Sequence, residues 1–259
     1  MNLAPIAKRI WVTRPKDQAG YLTECLNKEG IDTYTLPLLN ISAAADSSQL
    51  NAALAQLTQF DLAVFISPSA LNAVFAALNA PWPADLAVAV VGPGSAQRAA
   101  ELGVQRIIVP PQQFDGEGLL EQLKKLGPQT GKKIVLFRGN GGRDILPAGL
   151  TAAGAEVTLV TAYQRSAPQL DSAEIERQLQ LGCDGIVISS SEAAQHLFNW
   201  AGGETRLKLQ CALYFVPHPQ IAEALRANGV RNIVQTAAGD DGITRSICRY
   251  FSPDFSSNE

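Results

Sequence analysis

The sequence predicts an α/β protein made of two doubly wound parallel-sheet lobes that arose by internal duplication. Three observations lead there. The stretch GKKIVLFRGNGGRDILPAGLTAAGAEVTLVTAYQR, Gly131 to Arg165, repeats the opening KRIWVTRPKDQAGYLTECLNKEGIDTYTLPL. Ile10 matches Ile134, Arg14 matches Arg138, Leu22 matches Leu146, Leu26 matches Leu150 and Gly30 matches Gly154, each pair 124 apart (134 − 10 = 124). The remaining segments repeat as well: Asp61 with Asp184, Ser67 with Ser190 and Phe75 with Phe198 at a spacing of 123, then Pro93 with Pro219 and Gly103 with Gly229 at 126. Finally, apolar runs such as FDLAVFI, Phe60 to Ile66, are continuous where a half-exposed strand would alternate, which marks strands covered on both faces.

Lys8 to Thr13 reads as the first strand, ended by Arg14-Pro15, because proline holds the residue before it extended and suits a helix start. The helix that follows runs to about Lys28 and closes at Gly30. Ile31 to Leu36 is a strand, and Pro37 to Ala45 continues extended before a helix around Ser48 to Leu57. Phe60 to Ile66 leads into the helix SPSALNAVFAAL, whose first turn carries Ser67 and Ser69. Leu86 to Val91 leads into GPGSAQRAAELGV. In the second copy CDGIVISSSEAAQHLF and LYFVPHPQIAEALRANGV take the same places. Asp115-Gly116 and Asp241-Gly242 keep register near the ends of the two copies. Glycine, proline and glutamine between Gly127 and Thr130 suggest a linear domain boundary there.

A chain of 259 residues, 46% hydrophobic and 17% charged, can bury two modest cores without disulfides or metal. The start, MNLAPIAKRIWVTRP, lacks the apolar core and cleavage site of a signal peptide, and no stretch has the length of a membrane span, so a cytoplasmic protein is expected. Four scattered cysteines without a CxxC pair read as small buried hydrophobes. His196 and His218 are too few and too separated to suggest a metal site. A formal net charge of −3 argues against nucleic acid as a partner, so an anionic ligand would be held locally.

Arg14, Arg138 and Arg143 fall on strand-to-helix loops, the edge at which open α/β sheets bind ligands, and a guanidinium there suits a carboxylate. The competing role is an arginine packed along the sheet edge or paired with an acid such as Asp144. FRGNGGRD, with Gly139, Asn140, Gly141 and Gly142, resembles an anion-cradling glycine loop but lacks GxGxxG and a ribose-binding acid. Ser67, Ser95, Ser189 and Ser190 lie at strand ends or first helical turns, where N-capping alone accounts for any one of them, at about 1 kcal/mol. Tyr163 ends the strand EVTLVTAY; its ordinary role is a half-buried strand-end residue with its hydroxyl in water, and its other role is a donor to a leaving oxygen. No Ser-His-Asp arrangement is present.

Taken together, VTRP with Gly20, the PLL of Pro37 to Leu39, FISPSA, VGPGS, LFRGNGGRDIL, AYQR and a final β-α pair ending in NGV resemble the uroporphyrinogen-III synthase family over nearly the whole chain. The resemblance implies two α/β lobes joined by a two-stranded connection with substrate in the cleft. It also implies that the first β-α unit of each half packs into the other half's lobe, giving residues 1–36 plus 169–259 as one lobe and 37–168 as the other, with both crossings. The implied reaction closes hydroxymethylbilane, a linear tetrapyrrole with eight carboxylates, into a ring with loss of water and inversion of the last pyrrole. It needs no cofactor and no metal. Tyr163 matches the tyrosine that assists departure of the hydroxyl, Ser95 a cleft hydroxyl, and Ser67 and Ser190 the hydroxyls ending equivalent strands. The sequence departs from the family at PHPQI, Pro217 to Ile221, where Gln220 or a backbone N–H stands in for the usual donors. The remaining expectations are a monomer, no membrane or nucleic-acid partner, and transient contact with hydroxymethylbilane synthase. A cytoplasmic two-lobed protein that binds or senses a small anion without catalysis would use the same loops. A sugar-nucleotide transferase lacks its diphosphate loop here.

Overall fold

The continuous apolar runs of the sequence are the central strands of two sheets. The computed structural model describes residues 7–142 and 144–252, and the chain divides into one unit formed by residues up to Asn40 and from Ser166 onward, and a second formed by Ile41–Arg165.

In the second unit the strands are β3 (Asn40–Ala43), β4 (Leu62–Phe65), β5 (Ala87–Val90), β6 (Ile107–Ile108), β7 (Lys133–Gly139) and β8 (Glu156–Ser166), in the spatial order β3-β8-β7-β4-β5-β6. From β8 to β6 every pairing is parallel. The connecting helices are α2 (Ser48–Ala55), α3 (Pro68–Ala77), α4 (Pro93–Glu101), α5 (Gly116–Lys125) and α6 (Ile145–Ala152). One sheet face gives Ala63, Phe65, Val88, Val90, Val135 and Phe137 to a core shared with α2, α3 and α4. The other gives Leu62, Val64, Ile134 and Leu136 to a core with Leu119, Leu123, Leu146 and Leu150 of α5 and α6. This alternation along strands buried on both sides is why the runs read as unbroken hydrophobic sequence.

In the first unit the strands are β1 (Arg9–Val12), β2 (Asp32–Thr35), β9 (Gly185–Val187), β10 (Tyr214–Val216) and β11 (Ile233–Gln235), in the order β11-β10-β9-β1-β2 and parallel throughout. Trp11, Ile186, Tyr214 and Val216 pack on α8 (Ser191–Trp200) and α10 (Pro219–Ala227). Ile10, Val12, Val187 and Phe215 pack on α1 (Gly20–Lys28) and α11 (Asp240–Phe251). Two more helices, α7 (Ser172–Leu181) and α9 (Gly203–Cys211), complete the unit.

The two copies exchange their first β-α-β segments: β1-α1-β2 joins β9 to β11, and β7-α6-β8 joins β4 to β6. An aspartate secures each exchange. The backbone N–H of Arg9 donates to Asp184 Oδ2 at 2.8 Å while Asp184 N–H donates to the Arg9 carbonyl at 2.9 Å. The backbone N–H of Lys133 donates to Asp61 Oδ2 at 2.8 Å while Asp61 N–H donates to the Lys133 carbonyl at 2.8 Å. Each carboxylate thereby pins the first residue of the incoming strand and satisfies an N–H left over at the ladder's end.

Two expectations from the sequence change. Gly127 to Thr130 is no domain boundary; it turns from α5 into β7 inside the second unit. Its Gln129 is buried, and the side-chain amide donates to the carbonyls of Leu123 and Gly127, so a composition typical of a linker here closes a turn. The helix after Arg14-Pro15 also starts late: Lys16–Gln18 forms a single 3₁₀ turn before α1. Gly30 and Gly154, which close the equivalent helices, both adopt positive φ (76° and 89°), the conformation that makes glycine the favoured residue there.

Candidate functional site

Parallel strands deliver all their carboxyl ends to one edge, so the predicted residues gather at two such edges, one in each unit. In the second unit, Phe65 and Phe137 stack with ring centres 5.0 Å apart and fix the ends of β4 and β7. Two residues beyond Phe65, Ser67 caps α3 by accepting the Ala70 N–H at 3.2 Å. Its Oγ also meets the Tyr163 hydroxyl at 2.9 Å.

Tyr163 is buried, which the sequence did not lead us to expect. The reason is a register shift in the β7–β8 pair. Arg138 lies opposite Thr161 but Gly139 lies opposite Tyr163, leaving Ala162 as an extra residue, a β-bulge. Val160, Ala162 and Tyr163 consequently all join the same core, although simple alternation would send Tyr163 to the opposite face. Gly139 proves to be the last residue of β7, outside the loop that follows. A Cβ there would lie 2.8 Å from Tyr163 Cζ, so the bare glycine is what lets the phenol lie flat against the strand end.

The glycine loop itself begins one residue later. Gly141 and Gly142 have φ of 114° and 120°. Arg138 folds back into this loop, donating from Nε to the Gly141 carbonyl (3.2 Å), from one terminal nitrogen to the Gly142 carbonyl (2.9 Å) and from the other to Asp144 (2.7 Å). Its guanidinium shapes the loop from within, the role the sequence offered as the alternative to ligand binding. Asn140 likewise turns to its own chain: Nδ2 donates to the Arg165 carbonyl at 3.1 Å and Oδ1 accepts the Arg165 N–H at 2.6 Å. Ser95 is buried in the first turn of α4, whose cap is Gly92. Arg143 lies outside the described residues.

In the first unit, Arg14 follows β1 and donates from Nε to Ser189 Oγ at 3.1 Å and from a terminal nitrogen to Asp240 at the start of α11. Both members of that ion pair keep only 16% of their side-chain surface. Ser190 caps α8 through the Ala193 N–H, repeating the role of Ser67. At the departure from the family pattern, His218 Nδ1 accepts the Gln220 N–H at 3.2 Å and so caps α10. Gln220 places its backbone there and leaves its side chain exposed. The sequence signalled none of the partners Asp240, His218 and Arg165, because each is distant in sequence or stands where no capping type was expected.

Among the described residues no group of three or more His, Cys, Asp or Glu is placed to hold a metal ion, and no helix is long and apolar enough to cross a membrane. What the second-unit edge offers chemically is a buried phenol in contact with a helix-capping hydroxyl, surrounded by helix N-termini that favour negative charge.

Comparison with known proteins gives a consistent answer. Residues 21–244 match the family model described as uroporphyrinogen-III synthase HemD. The uroporphyrinogen-III synthase of Salmonella typhimurium is 31% identical over 245 residues, covering 92% of this chain and 99% of that protein. Among solved structures, a mutant uroporphyrinogen III synthase from Thermus thermophilus aligns over 94% of this chain and 98% of its own, with a TM-score of 0.60 and 18% identity. The uroporphyrinogen-III synthetase of Helicobacter pylori aligns over 93% and 97%, with a TM-score of 0.57 and 13% identity. These two likenesses speak for the shared two-unit α/β fold, and the sequence matches carry the rest: the chain belongs to the uroporphyrinogen-III synthase family.

Proposed function

We infer that this protein is a uroporphyrinogen-III synthase, a cyclising hydro-lyase that converts hydroxymethylbilane to uroporphyrinogen III with loss of water and inversion of the last pyrrole. The observation that carries a catalytic role for this chain's own residues is the 2.9 Å contact between the Tyr163 hydroxyl and Ser67 Oγ at the carboxyl edge of the second unit. Tyr163 donates a proton to the terminal hydroxyl of the substrate, the C–O bond breaks, and the hydroxyl departs as water. Ser67, already hydrogen-bonded to the phenol, orients it toward that oxygen. The substituted α carbon of the last pyrrole then attacks the freed methylene carbon to give a spiro centre. Its old bond to the bridging methylene breaks, that methylene re-bonds to the free α carbon of the same pyrrole, and the proton lost from this carbon restores the phenol. Spontaneous closure gives the uninverted ring, so the enzyme's main task is to hold the chain in the geometry that inverts.

The substrate's carboxylates find donors in backbone N–H groups at the starts of α3, α4 and α6 and in the glycine loop, where helix dipoles favour negative charge. Ser95, Ser189, Ser190 and Gln220 complete the proposed binding set, with Arg14 and Arg138 acting through the loops they brace. The reaction proceeds without cofactor or metal. The protein works as a cytoplasmic monomer and receives its substrate through transient contact with hydroxymethylbilane synthase. Membership of the synthase family favours catalysis over the alternative of a non-catalytic anion binder.

The test is product analysis. Purified protein is mixed with freshly generated hydroxymethylbilane, the products are oxidised, and the uroporphyrin isomers are separated. Predominance of type III is expected. Type I alone, at the rate seen without protein, overturns the assignment.

A further inference from the structure

The phenol of Tyr163 reaches Ser67 only because β8 carries one extra residue, and something must hold that extra residue in place. The β7–β8 ladder is regular from Lys133–Glu156 to Arg138–Thr161, then shifts by one at Ala162. A bulge near a strand end can relax by slipping one residue, and a slip moves each side chain beyond it to the other face of the sheet. In this sheet the other face belongs to the core of α5 and α6, away from Ser67. Just past the bulge, the Asn140 amide forms two hydrogen bonds with the backbone of Arg165, one to its carbonyl and one from its N–H. The side chain therefore does the work of a further ladder residue, joining the strand ends with Tyr163 held between this clamp and the bulge. Gly139 supplies the flat floor under the ring.

We propose that Asn140 is a positioning residue for the cyclisation, a register clamp that keeps the bulge at Ala162 and so keeps the Tyr163 hydroxyl on Ser67, and that it acts without contact to substrate. This replaces the substrate-binding role that its place in a glycine loop suggested. The kinetic consequence rests on the synthase reading above; the structural consequence does not.

Asn140→Ala removes both hydrogen bonds. Asn140→Asp keeps the acceptor for the Arg165 N–H while placing its second oxygen against the Arg165 carbonyl. Misplacement of a reacting group by about 1 Å costs up to about 100-fold in rate, so kcat of Asn140→Ala should fall about 10- to 100-fold with KM changed by less than about threefold, and Asn140→Asp should fall between it and the parent. In a Tyr163→Phe background the Asn140→Ala substitution should add nothing to the loss, because the clamp acts through the phenol. A rise in KM with kcat preserved, or losses that multiply in the double variant, overturns the proposal. Crystal structures of both Asn140 variants decide it independently of turnover. Tyr163 displaced from Ser67 in Asn140→Ala sustains the clamp, and Tyr163 unmoved in both variants overturns it. If Tyr163→Phe alone retains full activity, the catalytic assignment of the tyrosine fails while the crystal structures still decide the register clamp. Should Asn140→Ala fail to fold, Asn140→Asp carries the same measurements.

Discussion

The two carboxyl edges of this protein come from one ancestral segment and have diverged in a specific way. What both keep is scaffold: Asp61 and Asp184 pin the incoming strands, and Ser67 and Ser190 cap α3 and α8 with nearly equal geometry (3.2 and 3.1 Å). What differs lies just beyond. In the second unit β8 runs for 11 residues, bulges at Ala162 and brings Tyr163 onto Ser67, whereas its counterpart β2 has four residues. At the spacing of the repeat the residue matching Tyr163 is Leu39 (163 − 124 = 39), which is buried in the core of the first unit. The second unit thus made a hydroxyl pair from a capping serine, while the first left its serine to cap; both units pair the loop-edge arginine with an acid, buried at Asp240 and exposed at Asp144. Duplication preserved what the fold needs, and the proposed chemistry lies in the unit whose β8 acquired a bulge.

The strongest way to break this comparison is Tyr163→Phe, which removes one hydroxyl and no packing surface. General acid assistance is worth about 100-fold or more, so kcat should fall by that factor while Tm stays within a few degrees. Unchanged turnover would remove the asymmetry between the two edges. The arginines sharpen the comparison next. Arg14→Ala leaves Asp240, with 16% of its side chain exposed, without its cation, and the loss should be about 1–3 kcal/mol in denaturant unfolding. Arg138→Ala frees Asp144, which is 76% exposed and rehydrates, so its stability cost should be smaller and its main effect a raised KM from a loosened glycine loop. Equal stability losses would mean that the two pairs are not differently buried in solution.

The shared scaffold predicts a smaller and matched effect. Asp61→Ala and Asp184→Ala each leave a strand-end N–H without its carboxylate and should cost about 1–2 kcal/mol apiece, measured as shifts in the unfolding midpoint. A large cost for one and none for the other would show that the clamps are not equivalent. The least perturbing test is chemical. Burial pushes the Cys183 thiol up to about 12, so at pH 8 it stays protonated and should resist iodoacetamide, whereas the exposed Cys211 should be alkylated readily. Prompt labelling of Cys183 in the native protein would indicate that this part of the first unit opens.

Much of the fold could be read from the chain because its signals are local and periodic. Leu22 and Leu26, four apart, do bury the face of α1, and the apolar run at Leu62–Phe65 is a strand covered on both sides. Asp61 and Asp184 were visible as a matched pair, yet their role was not, since it depends on strands far away in sequence. Tyr163 was singled out by its resemblance to a family position, but its burial and its contact with Ser67 were beyond reach. The run TLVTAY carries no mark of an extra residue, and only pairing against β7 reveals one. Asn140 was legible as a loop residue, whereas Arg138, read as one, is the penultimate residue of β7 with its side chain folded into the loop, and the sequence left open whether their donors face outward or inward.

By itself, then, the sequence determined the duplication, the alternation of strand and helix and the family, because each is written in spacing or in ordered motifs; of the four serines it offered as caps, Ser67 and Ser190 cap helices. The exchange of the first β-α-β segments was an expectation carried by the family resemblance; only the tertiary structure decided how Gln129 closes the turn at Gly127 to Thr130 and that Arg14 and Arg138 are spent on Asp240, Ser189, Asp144 and their own loop. It also decided which way Tyr163 faces. The physical reason is common to all of these: strand register and hydrogen-bond partners are settled between segments that meet in space, and a one-residue shift invisible in a single strand reverses what its side chains touch.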